Sequence, residues 1–86
     1  MTAGYSFLSM EEVTADVCQL VAHACAVEAA TVKPDGRLVE YGMDSIRAVD
    51  LLVSLEERFG IEISDAEASA LKTVGDIVRC IEAKKA

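Results

Sequence analysis

The 86-residue chain has no tryptophan, one proline, one histidine and only eight basic residues against fifteen acidic ones. Each shortage excludes something. At a formal net charge of −7 the chain lacks the basic patch that nucleic-acid contact needs. Acidic proteins of this size meet partners through basic patches on those partners, although the same charge also serves plain solubility. No apolar run reaches the length of a membrane span. The start, "MTAGYSFLSMEE", lacks the basic and continuously apolar regions of a signal peptide. No membrane or nucleic-acid partner is expected, and the expected compartment is the cytoplasm. Cys18, Cys25 and Cys80 form no C-x-x-C pair and leave an odd count, which argues against a disulfide framework or a zinc site. They read as small buried hydrophobes in a reducing compartment. There is no glycine-rich phosphate loop, and Asp35-Gly36 lacks the alternating acidic ligands of a calcium loop. No metal site is expected.

What is present is helix signal. Residues 1–8 read as a flexible tail and residues 9–86 as one domain with one modest core. Ser9 and Glu12 have capping-box spacing at the start of "SMEEVTADVCQLVAHACAVEA", with Leu8 and Val13 as a hydrophobic staple. Val13, Val17, Leu20, Ala24 and Val27 follow the steps of one buried stripe on this first helix. The next segment, "ATVKPDGRLVEYGMD", breaks the period at Pro34-Asp35-Gly36. It reads as a loop of about fifteen residues, long for a small domain and hence of functional interest. Leu38 and Tyr41 are the residues that would pin it to the core. A second helix is expected from Ser45 to Phe59, stopped by Gly60. Ser64 with Glu67 opens a short helix to about Leu71, and Thr73 with Asp76 opens the last. There Val74, Ile77, Val78 and Ile81 form a stripe, and Lys84 and Lys85 suit the helix's own negative end. "GIEIS" alternates but has no strand partner. The fold class is all-α.

The second helix carries more apolar residues than one buried face needs. At about 100° per residue, Ala48, Leu51, Leu52, Leu55 and Phe59 share one arc, sufficient to bury the helix. Ile46, Val49 and Val53 fall on an adjacent arc turned away from it. Glu56 flanks this second stripe on one side, and Asp50 and Glu57 flank it on the other. An apolar stripe rimmed by charge resembles a binding surface. Packing beneath the long loop explains the stripe equally well from pattern alone.

Ser45 stands at the start of that helix. Either Asp44 or Ser45 is suited to cap it. Unpaired amides and the positive end of the dipole would also stabilise a phosphate esterified to Ser45. A nucleophile elbow needs a glycine after the serine, and "GMDSI" has none. His23, the sole histidine, lies in mid-helix and reads as packed or solvated. With no base for the serine, nothing in the sequence reads as an enzyme.

The ordered set of marks in "GMDSIRAVDLLVSLEERFGIEISDAEASALKTVGDIVRCIE" resembles the second half of an acyl carrier protein. The attachment motif Gly42-x-Asp44-Ser45-Ile46 is followed by Val49-Asp50-Leu51, Leu55-Glu56-Glu57-x-Phe59, Ile61-x-Ile63-x-Asp65 and Thr73-Val74-x-Asp76. The resemblance implies a four-helix acyl-carrier-like bundle of three main helices, a short third, and a long loop between helices one and two. It implies 4′-phosphopantetheine, moved from coenzyme A to Ser45 by a phosphopantetheinyl transferase and holding acyl cargo as a thioester. Asp44 would belong to that attachment site. Acyltransferases, ketosynthases or other acyl-processing enzymes would dock on Ile46, Arg47, Val49, Asp50, Val53, Glu56 and Glu57.

Two departures shape the expectation. Arg47 puts a positive charge inside the docking rim, and Tyr41 replaces the leucine common before the glycine. Both lean towards a discrete, monomeric carrier of a bacterial polyketide or related secondary-metabolite pathway over fatty-acid synthesis. Met43-Asp44 favours an acyl cargo over the aminoacyl or peptidyl alternative. The chain's two ends read as those of a free-standing protein. The rival of another class is an unmodified helical protein-interaction module, which would tolerate Ser45→Ala; a carrier would not.

Overall fold

In the computed structural model, residues 9–85 are described. The expected tail and the Leu8 half of the staple lie outside them. Four α-helices follow in order: α1 (Met10–Cys25), α2 (Ser45–Phe59), α3 (Asp65–Ser69) and α4 (Val74–Lys85). The long loop is ordered by two short 3-10 turns, Ala29–Thr31 and Leu38–Tyr41. Among the described residues there is no strand, only an isolated antiparallel bridge between Arg37 and Thr73. This is the expected all-α bundle with a short third helix.

The caps explain where the helices begin. Ser9 accepts from the Glu12 amide and Glu12 returns the bond to the Ser9 amide. Ser64 and Glu67 repeat the box at α3, and Thr73 and Asp76 at α4. At the far ends, Gly60 closes α2 at φ 65°. α1 stops earlier than expected, at Cys25. Ala26 turns left-handed at φ 57°, and the Val27 amide bonds back to the Ala22 carbonyl at 3.0 Å. That six-to-one bond is the helix-ending arrangement usually made by glycine. Val27 is therefore off the helix and half-buried. The buried stripe of α1 runs through Val13, Val17, Val21 and Cys25, with Leu20 and Ala24 half-buried beside it.

α1 packs against both α2 and α4. Leu51, Leu55 and Phe59 enter the core from α2, and all four expected α4 residues enter it from the other side. Removing such side chains from water contributes about 25 cal/mol per Å² of apolar surface. The loop is fastened by Val32 and Leu38, both buried, and by Tyr41, whose hydroxyl accepts from the Lys33 amide at 2.9 Å. A side chain at Gly36 would collide with the Tyr41 ring. Lys84 and Lys85 stand in the last turn of α4, as expected, and their ammonium groups also reach other elements. Lys84 Nζ reaches Glu67 Oε2 at 2.8 Å, and Lys85 Nζ donates to the Phe59 carbonyl at 3.1 Å. Folding brings acceptors on α3 and at the end of α2 within reach of these long side chains.

Candidate functional site

The approach to Ser45 is built by the turn at Leu38–Tyr41. Gly42 leaves that turn at φ 91°, a region open to glycine and costly to most other residues. Met43 then bonds back to the Leu38 carbonyl at 3.3 Å, and Asp44 is delivered in extended conformation as the cap of α2. The Asp44 Oδ1 accepts from the Arg47 amide at 2.8 Å. The cap is thus Asp44, and Ser45 is the first helical residue, exposed. Helix geometry gives the Ser45 and Ile46 amides no acceptor within α2. Those amides and the dipole make the spot hospitable to a phosphate ester.

Ile46, Val49 and Val53 are 76%, 59% and 47% exposed. They do not pack beneath the loop, so that reading of the stripe is overturned. Asp50 and Glu57 are exposed beside them. Two members of the expected docking rim are otherwise occupied. The Arg47 guanidinium turns to the end of α1, where Nη1 donates to the Ala24 carbonyl at 2.9 Å and Nε lies 3.9 Å from Asp44 Oδ2. A cation there meets the negative end of α1, which a wheel of α2 alone does not reveal. Glu56 is half-buried, and its Oε2 accepts from the Ile63 amide at 2.9 Å. It holds down the segment between α2 and α3.

Two features were missed. Val39, 69% exposed on the second 3-10 turn, adds an apolar patch from a segment without periodicity. A cavity of about 180 Å³ opens among the second turn, α2, α3 and α4, lined by Leu38, Met43, Ala48, Leu51, Leu71 and Ile77 among others. Ala48 and Leu52, placed in the buried arc from sequence, are half-buried and line it. A helical wheel places both correctly towards the interior but cannot show that α3 is too short to cover them.

Chemistry elsewhere is quiet. Burial raises the Cys18, Cys25 and Cys80 thiols above their ordinary range, which suppresses the reactive thiolate. Cys25 is buried and the other two half-buried. Among the described residues, no group of His, Cys, Asp and Glu side chains is placed to hold a metal ion. Nor is any helix there long and apolar enough to cross a membrane.

The family profile described as "Phosphopantetheine attachment site" matches residues 15–81. An acyl carrier protein of Prochlorococcus marinus (strain MIT 9515) is 44% identical over 79 residues, covering 91% of this chain and 99% of the relative. A solved free-standing peptidyl carrier protein from an uncharacterized Acinetobacter baumannii secondary metabolic pathway superposes with a TM-score of 0.76. It is 25% identical, over 87% of this chain and 94% of the other. An exposed serine hydroxyl beside unpaired helix-start amides fits a phosphodiester-linked arm. This chain belongs to the phosphopantetheine-attachment family of acyl and peptidyl carrier proteins, which bear covalent 4′-phosphopantetheine and are carriers, not enzymes.

Proposed function

We propose that Ser45 bears the arm and that this chain presents acyl thioesters to the enzymes of a bacterial polyketide or related secondary-metabolite pathway. One observation carries the assignment. Among the described serines, Ser9 and Ser64 spend their hydroxyls on helix caps and Ser69 on backbone carbonyls. Ser54 is half-buried within α2. Ser45 is exposed at a helix start, and its hydroxyl bonds to no group among the described residues. In the transfer, the Ser45 oxygen forms a bond to the phosphorus of coenzyme A that carries pantetheine. The pyrophosphate P–O bond breaks, adenosine 3′,5′-bisphosphate leaves, and the hydroxyl proton passes to a base of the transferase.

The partner face is Ile46, Val49 and Val53 with Asp50 and Glu57, extended by Val39. Its apolar centre and acidic rim suit an enzyme surface with an apolar patch ringed by basic residues. The discrete secondary-pathway carrier rests on the two departures of the sequence at Arg47 and Tyr41; in the fold Arg47 ties α2 to the end of α1, and the Tyr41 hydroxyl fastens the loop to the Lys33 amide. The protein acts as a monomer in the cytoplasm in this reading.

The test is intact-protein mass after incubation with a broad-specificity phosphopantetheinyl transferase and coenzyme A, with Ser45→Ala alongside. A gain of one phosphopantetheinyl group in the wild type and none in the variant is expected. A folded wild type that gains nothing beside an active control points to the unmodified interaction module.

A further inference from the structure

The eight basic residues of the chain fall into two groups. Arg47, Arg58, Arg79 and Lys84 each lie beside a carboxylate, and Lys85 donates to a backbone carbonyl. The others, Lys33, Arg37 and Lys72, are exposed and form no ion pair among the described residues. Lys33 and Arg37 belong to the loop between α1 and α2, and Lys72 to the join between α3 and α4. Backbone pairing brings Arg37 and Lys72 together. The Leu38 amide donates to the Lys72 carbonyl at 2.9 Å, the Val74 amide to the Gly36 carbonyl at 3.1 Å, and Arg37 bridges Thr73. Neighbouring acids do not neutralise this pair. Asp35 and Glu40 form no ion pair with either cation. The Asp76 carboxylate is committed to Arg79 and to the Lys72 and Thr73 amides. Val39, 69% exposed, stands with Arg37 and Lys72 at one rim of the cavity.

We propose that Arg37, Val39 and Lys72 form a second docking epitope, which takes an acidic segment of a partner enzyme bearing one apolar residue among its carboxylates. The epitope belongs to the chain with or without an arm on Ser45, so it stands apart from the attachment site. It also differs in sign from the stripe on α2. That stripe, flanked by Asp50 and Glu57, suits basic residues, whereas this rim suits acidic ones. A partner engaging both must carry a basic and an acidic patch side by side. The reversed placement would set like charges against each other, so the pair of epitopes fixes orientation. The rim is ordered before any partner arrives, because Leu38 is buried beside Val39 and the Met43 amide bonds back to the Leu38 carbonyl. Binding there loses little further freedom. The planar guanidinium of Arg37 can take a carboxylate through two parallel bonds, which adds direction to charge. A nucleic acid or an anionic bilayer would also face the many acids of a chain at −7. A segment of a few residues meets only charges within about 8 Å, the screening length at physiological salt.

The test titrates the full chain, without an arm, with two short synthetic peptides and follows amide and Arg side-chain NMR shifts. One peptide has glutamates around a central leucine; the other has lysine in place of every glutamate. The acidic peptide is expected to shift the Arg37 side chain and the Val39 and Lys72 amides at least twofold more than the Asp50 and Glu57 amides. The basic peptide is expected to give the reverse order. Arg37→Gln with Lys72→Gln removes two exposed pairs, so the Kd of the acidic peptide should rise about fivefold while that of the basic peptide holds. Core amide shifts left in place show that the double variant is folded, and molar salt should abolish the wild-type response to the acidic peptide. The proposal is overturned by acidic-peptide shifts spread equally over Lys33, Arg79 and Lys84, or by an unchanged Kd in the double variant. Inorganic phosphate that reproduces every shift at equal charge concentration would mean anion binding alone, and overturns it too. None of these outcomes bears on Ser45, whose test is the gain in mass.

Discussion

Asp44 and Ser45 are neighbours with separate duties. Asp44 closes the helix start through the Arg47 amide, which leaves the Ser45 hydroxyl uncommitted. An N-cap carboxylate replaced by alanine costs about 1 kcal/mol, so Asp44→Ala should lower stability by about that amount in urea unfolding. Ser45→Ala, at an exposed position with no bond to lose, should stay within about 0.5 kcal/mol of the wild type. Equal losses for the two substitutions would mean that Ser45 shares the capping role. Arg47 shows a different residue-scale lesson: its charge, placed by sequence on the docking rim, is spent on the Ala24 carbonyl of another helix.

At the scale of elements, α2 does three jobs on three sides. Leu51, Leu55 and Phe59 bury it, Ile46, Val49 and Val53 stay in water, and Ala48 and Leu52 line the cavity. Its acidic residues divide accordingly. Asp50→Lys and Glu57→Lys should weaken binding of a partner enzyme, most at low salt, and leave Tm unchanged. Glu56→Lys should lower Tm by roughly 6 °C, because the half-buried Ile63 amide loses an ionised acceptor worth about 1.5 kcal/mol. Calorimetry on the three variants checks this directly; a Glu56→Lys protein as stable as the other two would refute the holding role of Glu56. α3 buries no residue fully, so it depends on such polar fastenings more than its neighbours do.

For the whole molecule, the join between α3 and α4 sets a response to acid. The bond from the Lys84 ammonium, then that from the Ser64 amide, lowers the Glu67 carboxyl to about 2. A carboxyl depressed on folding stabilises the fold above its unfolded value of roughly 4.3, and that stability is lost as pH falls towards about 2. Asp76 is lowered as well, chiefly by the Lys72 amide, so the start of α4 shares this behaviour. Lys84→Met should move the Glu67 titration, followed by NMR of its carboxyl carbon, upwards towards the ordinary carboxylate range. An unmoved titration would mean that the Lys84 bond does not form in solution.

The helices, their starts and the attachment motif were all legible in the linear sequence, because capping boxes, apolar periodicity and turn residues act over a few neighbours. The core residues of α4 and the two arcs of α2 were legible for the same reason. The early end of α1 was not, since Ala26 adopts a conformation that composition disfavours and the Ala22 carbonyl secures. Nor were the partners of Arg47, Glu56, Lys84 and Lys85, whose side chains reach groups 23, 7, 17 and 26 residues away. The cavity belongs to the same class, since the segments on one side of it come together only through pairing across the Arg37–Thr73 bridge, between positions far apart in the chain. Local patterns determine which segments become helix and where a serine is presented. Which charges are spent, which faces stay open and what space is left between helices follow from long-range packing, which tertiary structure alone decides.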